Sequence, residues 1–325
     1  MQCIPSKFPF VVLLLIMSCC ASVKQQEQTA TVSGGVNNGL LSDLKTLSSD
    51  VFEGRKTGTA GAQKAREFIT ERFNKLRLES FSTEQHFLQV FDFTDKSGDT
   101  ISGTNIIGYI PGKMKETIVV SAHYDHLGII DGEIYNGADD NASGVAALLH
   151  FAEYFTHHKP NFTIIFIAFD AEEMGLRGAK AFVENPPTSL NNIHLNINMD
   201  MIAHNEKGEL YASGTYHYPE LKEYIKPNDS PQLKILFGHD NPREGSNDWT
   251  NQSDHGAFHT NNIPFIYFGV EDHKDYHQPT DIYDNINEEF YTHAVAAILT
   301  IIKNIDEKLS SKVQIQKNKI SSLVK

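Results

Sequence analysis

Thr117-Ile118-Val119-Val120-Ser121-Ala122-His123-Tyr124-Asp125-His126 is the stretch from which the fold is read. Its first four residues are apolar or β-branched and form a short run, the pattern of a buried strand in an α/β sheet. His123 and Asp125 stand where that strand ends. In open α/β sheets the carboxyl ends of the strands are where ligands bind. One His two residues before an Asp is a weak signal alone, since a strand-end His is readily satisfied by a neighbour. The signal strengthens because later segments end in the same way, each on acids or a His.

Working outward, Asn136-Gly137-Ala138-Asp139-Asp140-Asn141-Ala142-Ser143-Gly144 opens an Ala/Leu-rich helix that runs to about His157. Phe162 to Phe169 is a continuous apolar strand that runs into Asp170-Ala171-Glu172-Glu173, with a helix after it through Ala179 and Phe182. His194 to Ile202 reads as a further strand with Asp200 near its end. Pro264 to Phe268 is a last core strand, and Phe290–Ile305 a last long helix. Upstream, a helix begins at Leu40, a loop covers Phe52–Gly58, and Ala60–Leu78 carries apolar residues at helical spacing. Strands are expected around Phe87–Phe93 and Thr104–Ile110. This alternation predicts an α/β fold with a mixed, largely parallel sheet and helices on both faces. Between Asn205 and Asn262 polarity rises and periodicity fades, so about 205–262 reads as a lid-like insertion in a single domain, 39–305.

The chain of 325 residues carries 28 basic and 41 acidic residues, a net charge of −13. That balance argues against nucleic acid and against an anionic membrane surface as partners. All three cysteines, Cys3, Cys19 and Cys20, lie in the first twenty residues, so the remainder holds neither a disulfide framework nor a thiolate-ligated zinc. In that leading segment Lys7 is the only charge, and Phe8–Met17 is too short an apolar run to span a bilayer. It reads as a signal peptide, residues 1–18. Ile16-Met17-Ser18-Cys19 resembles a bacterial lipobox, which implies cleavage before Cys19, a lipid anchor on it, and a place in the bacterial cell envelope. Residues 19–38 read as a flexible tether and 306–325 as a basic C-terminal tail.

His123, Asp125, Asp139, Asp140, Glu172, Glu173 and Asp200, with the segment Asp275-Tyr276-His277-Gln278-Pro279-Thr280-Asp281, supply imidazoles and carboxylates without thiols. That is the ligand set of a borderline divalent cation. So many donors suit two ions bridged by one carboxylate better than a single zinc. Crowded acids repel one another unless a cation or protons neutralise them.

HYDH (123–126), GADDNASG (137–144), FDAEEMGLRGA (169–179), NMDMIA (198–203) and DYHQPTD (275–281), in that order, resemble the co-catalytic zinc aminopeptidases. That family belongs to a larger group with glutamate carboxypeptidase-like enzymes and glutaminyl cyclases. The resemblance covers about Leu40 to Ile305, including EGRKTGTAG (53–61), and implies a zinc-exopeptidase, phosphorylase/hydrolase-like fold. It implies two divalent ions, zinc first among them. His123, Asp140 and Asp200 would hold one, and Asp140, Glu173 and His277 the other. It also implies Glu172 as general base, Asp125 behind His123 to fix the ring tautomer, and Tyr276 as a hydroxyl aimed at the developing oxyanion. Asp139 falls to a structural part, and His126, His204, His255 and His273 carry no assigned role. Ser253-Asp254-His255 with Phe258 matches a segment near the substrate pocket; Trp249 and Phe258 read first as lid packing, with the lining of an apolar specificity pocket as the alternative. The chain departs from the family at Arg77-Leu78, where Gly-Leu is usual, and at Asn141, often an Asp.

The activity implied is release of N-terminal residues from peptides with a free N-terminus. Glutaminyl cyclase shares the fold but works with one zinc. A carboxypeptidase needs a basic group for the substrate carboxylate, with Arg243 the evident candidate. A non-catalytic binding module on this scaffold would have lost ligands, and none is missing.

Overall fold

The β-branched run before His123 lies at the centre of the sheet because it can bury both of its faces. The computed structural model describes residues 1–2, 36–226 and 232–323. The leading segment with Cys19, and most of the tether, lie outside the described residues. The strands are β1 (Leu88–Thr94), β2 (Thr100–Ile110), β3 (Thr117–His123), β4 (Gly128–Ile130), β5 (Glu133–Tyr135), β6 (Thr163–Phe169), β7 (Ile193–Met199), β8 (Glu209–Ser213), β9 (Lys234–Leu236) and β10 (Phe265–Gly269). The helices are α1 (Val36–Leu47), α2 (Ala60–Leu76), α3 (Gly144–His157), α4 (Arg177–Glu184), α5 (His255–Thr260) and α6 (Glu288–Leu323). Eight strands form one sheet in the order β1-β2-β6-β3-β7-β10-β8-β9, and β4 pairs with β5 apart from it.

The middle of that sheet, β6-β3-β7-β10, is parallel, while β1, β2 and β8 join antiparallel. Its register sets the site. His123 pairs with Phe169, and Ser121 pairs with Asn198, so the strands release His123, Asp170 and Asp200 at nearly the same level. Side-chain alternation divides the core into two layers. Ile118 and Val120 pack with α1, α2, α3 and α6, and Val119 packs on the other face with α4 and α5. Helices therefore cover both faces.

Two spans differ from the sequence expectation. The 205–262 segment is built into the sheet: β8 pairs with β10, and β9 completes that edge. Its Phe258 is fully buried between Phe169 and Phe182, so it is core and not a pocket wall. Its strands have only five and three residues, too short for periodicity to register. At the other end, α6 continues past Ile305 to Leu323. Beyond that point Leu309 and Val313 pack against the core, and Lys312 and Lys317 pair with Glu223 and Glu116.

Candidate metal centre

The loops that leave the parallel strands are held by groups that are themselves buried. Arg55, wholly buried, donates to the carbonyl oxygens of Leu47 (2.7 Å), Tyr124 (2.8 Å), Asn136 (2.6 Å) and Gly137 (2.8 Å). Burial lowers its pKa to about 10, with Asp140, Asp281 and Asp125 opposing, so it stays charged at neutral pH. It ties the exit of β3 to the Asn136-Gly137 turn. Gly137 has φ 55°, and a Cβ there would meet Asp140 O at 2.0 Å and the His126 ring at 2.6 Å. Only glycine fits. Asp281 then accepts from the backbone N–H groups of Asp139 (2.9 Å) and Asp140 (3.0 Å), which sets the acidic pair in place.

Within this frame the donor atoms face one another. His123 Nε2 lies 3.2 Å from Asp200 Oδ1 and 3.3 Å from Asp140 Oδ1. His277 Nε2 lies 3.1 Å from Asp140 Oδ2 and 3.4 Å from Glu173 Oε1. The two oxygens of Asp140 therefore face two different imidazoles. Glu172 brings an oxygen within 4.8 Å of the His123 and Asp200 donors. Asp139 turns away, accepting from Ala203 N (2.6 Å) and lying 3.0 Å from His273 Nε2.

His123 Nδ1 is 3.1 Å from the backbone oxygen of Asp125 and 3.6 Å from its carboxylate. The carboxylate accepts from Glu172 N (3.0 Å) and Glu173 N (3.3 Å). Asp125 thus orients the imidazole through its carbonyl and holds the Glu172-Glu173 turn through its side chain. Asp170, the acid before that turn, takes Thr57 Oγ1 (2.7 Å), Thr104 N (2.8 Å) and Tyr124 Oη (2.8 Å), so it anchors the loop and faces no imidazole.

Burial opposes the charged form of Asp140, yet His126, His123 and His277 hold its carboxyl well below the usual range. Burial raises Glu172 well above its ordinary value, Asp200, Asp254 and Glu173 adding to it against His123. Asp254 is also raised by burial, and neither of its oxygens has a hydrogen-bond partner among the described residues. Tyr276 stacks on His277 at 3.9 Å, and burial near Asp140 and Asp200 pushes its hydroxyl up, so it remains a donor.

Trp249 stacks on His239 at 3.7 Å, and Arg243 is exposed on the 242–247 turn with no contact to these groups. Two residues that the motifs left unassigned lie in the centre or support it. One is Arg55, inside the EGRKTGTAG segment. The other is His126, whose Nδ1 is 2.9 Å from Glu173 Oε1 and 3.7 Å from Asp140 Oδ2. The only signal for His126 was its place three residues after His123. A further trio, His204, His273 and Asp275, lies beside Asp139. Its two rings stack at 4.0 Å and 22°, and His273 Nε2 lies 3.0 Å from Asp139 Oδ2, so His273 buttresses Asp139.

Imidazole nitrogens and carboxylate oxygens, buried and facing one another without thiols, fit zinc or a similar divalent cation. The residue pattern of Peptidase family M28 matches residues 105–302, more than half of the chain. Aminopeptidase YwaD of Bacillus subtilis is 27% identical over 243 residues, 70% of this chain and 50% of that protein. A Zn-dependent exopeptidase from Parabacteroides distasonis has the same fold, with a TM-score of 0.65 at 18% identity, over 82% of this chain and 98% of that one. So does a glutaminyl cyclase from Bacteroides thetaiotaomicron bound to N-acetylhistamine, with a TM-score of 0.65 at 19% identity, over 82% and 97%. The chain spans about half or less of the length of the curated relatives it matches.

Proposed function

Because the chain belongs to Peptidase family M28 and is similar to Aminopeptidase YwaD, we propose that it removes N-terminal residues from peptides. In this reading two divalent ions, zinc foremost, are held by His123, Asp140 and Asp200 and by Asp140, Glu173 and His277. The observation that carries it is the pair of Asp140 oxygens facing separate imidazoles. Bound divalent cations supply Lewis acidity and lower the pKa of water. Glu172 accepts the proton of the attacking water and returns it to the leaving amine. The Tyr276 hydroxyl donates to the oxyanion as it develops. Glu172 and Asp200 accept from the substrate ammonium, a charge-assisted contact about twice as strong as a neutral one.

A second reading has one observation in its favour. A cavity of about 320 Å³ beside Glu173 and His126 carries Lys56, Lys96 and Arg177 alongside Asp95 and Asp125, and these three bases are the groups that could meet a substrate carboxylate. Substrate blocking separates the readings. Leu- or Ala-anilide should be cleaved and its N-acetyl form not, while amidating a peptide C-terminus changes the rate little. Loss of activity on amidation would establish the carboxypeptidase instead. Conversion of N-terminal Gln peptides to pyroglutamate, with one bound zinc and no anilide cleavage, would establish the cyclase. The same reading has the protein exported and anchored through a lipidated Cys19. Retention of a Cys19→Ala variant in the membrane fraction would count against the anchor.

A further inference from the structure

His126 faces the same two oxygens as His277. Its Nδ1 is 2.9 Å from Glu173 Oε1 and 3.7 Å from Asp140 Oδ2, and His277 Nε2 is 3.4 Å and 3.1 Å from those atoms. We infer that His126 is a direct ligand of the cation held by Asp140, Glu173 and His277, giving that ion a second imidazole. The inference rests on the metal-binding reading above. Four donors about 2.05 Å from one zinc in a tetrahedron lie about 3.3 Å apart, and the four distances straddle that value.

A histidine that only braced Glu173 from outside would bond the oxygen turned away from His277. His126 approaches the inward oxygen instead. The two rings are 5.8 Å apart at 62°, far from the parallel stacking of His204 on His273. The His126 side chain is fully buried, with its ring against Gly137, so its direction is set by the fold. Its Nε2 has no hydrogen-bond partner among the described residues, which leaves Nδ1 as the atom with a task. Ligation through Nδ1 puts the ring proton on Nε2.

The two sites are then unequal. The Asp140/Glu173 ion has four protein donors, whereas the one at His123, Asp140 and Asp200 has three and keeps the freer position. Chelation should remove the His123 ion first.

X-ray absorption on the zinc-loaded full chain tests this directly. Three imidazoles shared by two ions average about 1.5 per zinc, against about 1 if His126 is not a ligand. His126→Ala and the bulkier His126→Gln should both lower the count to about 1 and weaken the tighter zinc by about 10-fold or more. A count of about 1 in the parent protein, unchanged in the variants, overturns the inference even where the variants fold poorly, because the parent spectrum decides it. If the parent binds one zinc, the two-ion reading fails separately. The inference is then judged on that ion, with about two imidazoles in its favour and about one against.

Discussion

Glu172 and Glu173 are adjacent in the chain and electrostatically opposite. His126 and His277 hold Glu173 below its ordinary pKa against burial and Asp140, while burial raises Glu172 among other acids. One side chain is held ionised, as a ligand must be, while its neighbour holds a proton more readily, the tendency a general base uses. The strand–turn geometry separates them: Ala171 takes φ 56°, and the Asp125 carboxylate accepts from both following N–H groups. Glu172→Gln should keep its metal and lose about 100- to 10,000-fold in kcat, or about 3–5 kcal/mol. Metal analysis beside steady-state rates checks it, and near-normal turnover would remove Glu172 from the base role.

At the scale of elements, the site is a consequence of strand register. A one-residue slip of β7 against β3 would turn Asp200 to the opposite face of the sheet. Such a slip is resisted because β3 is buried along its whole length. The helix before the sheet explains the Arg77 departure. Thr59 caps the start of α2, and Arg77 ends it in the left-handed conformation, φ 57° and ψ 40°. That position favours glycine, because a Cβ there costs about 1–2 kcal/mol, part of it offset by glycine's freer unfolded chain. Arg77 is exposed, so Arg77→Gly should leave activity unchanged and raise stability by about 0.5–1 kcal/mol. A urea midpoint that falls in the variant would show that the side chain contributes something the cap geometry does not include.

Across the whole molecule, part of the acidic excess of 41 to 28 lies in the buried acids of the candidate metal centre. Burial raises Asp43, Asp170 and Asp281 to about 6, and raises Glu172 and Asp254 further. Each folded-state pKa lies above its unfolded value, so the folded protein binds the additional protons. The stability this lends is complete below the ordinary carboxyl values of 3.8 and 4.5 and is lost as pH rises through the raised ones. Asp140 and Glu173 are shifted downward and act in the opposite sense, in more acidic solution. His150, His194, His204, His255 and His259, lowered by burial, oppose this in part by costing stability below about pH 6.5. The raised acids outnumber them in effect, so chelated protein should melt at a lower temperature at about pH 8 than at about pH 5, and the metal-loaded form should show a smaller gap. Equal melting temperatures for the chelated protein at both pH values would contradict it.

What the sequence determined by itself was the sheet centre and the order of its loops. Buried β-branched runs such as Thr117–Val120 and Ile164–Ile167 can satisfy their backbone only as inner strands, and the acids after them fall at one sheet edge. Tertiary structure alone decided the rest. Short edge strands such as β8 and β9 carry no period of their own, and their pairing comes from β10. Packing and pocket lining are both open to Phe258 in the sequence, and its place between Phe169 and Phe182 decides for packing. His126 is separated from Glu173 by 47 residues, and no spacing rule connects them. They meet because β3 and β6 pair in parallel and release their loops together. Arg55 is legible only as part of a motif, since its four carbonyl partners are distant turns brought to one point by the completed fold.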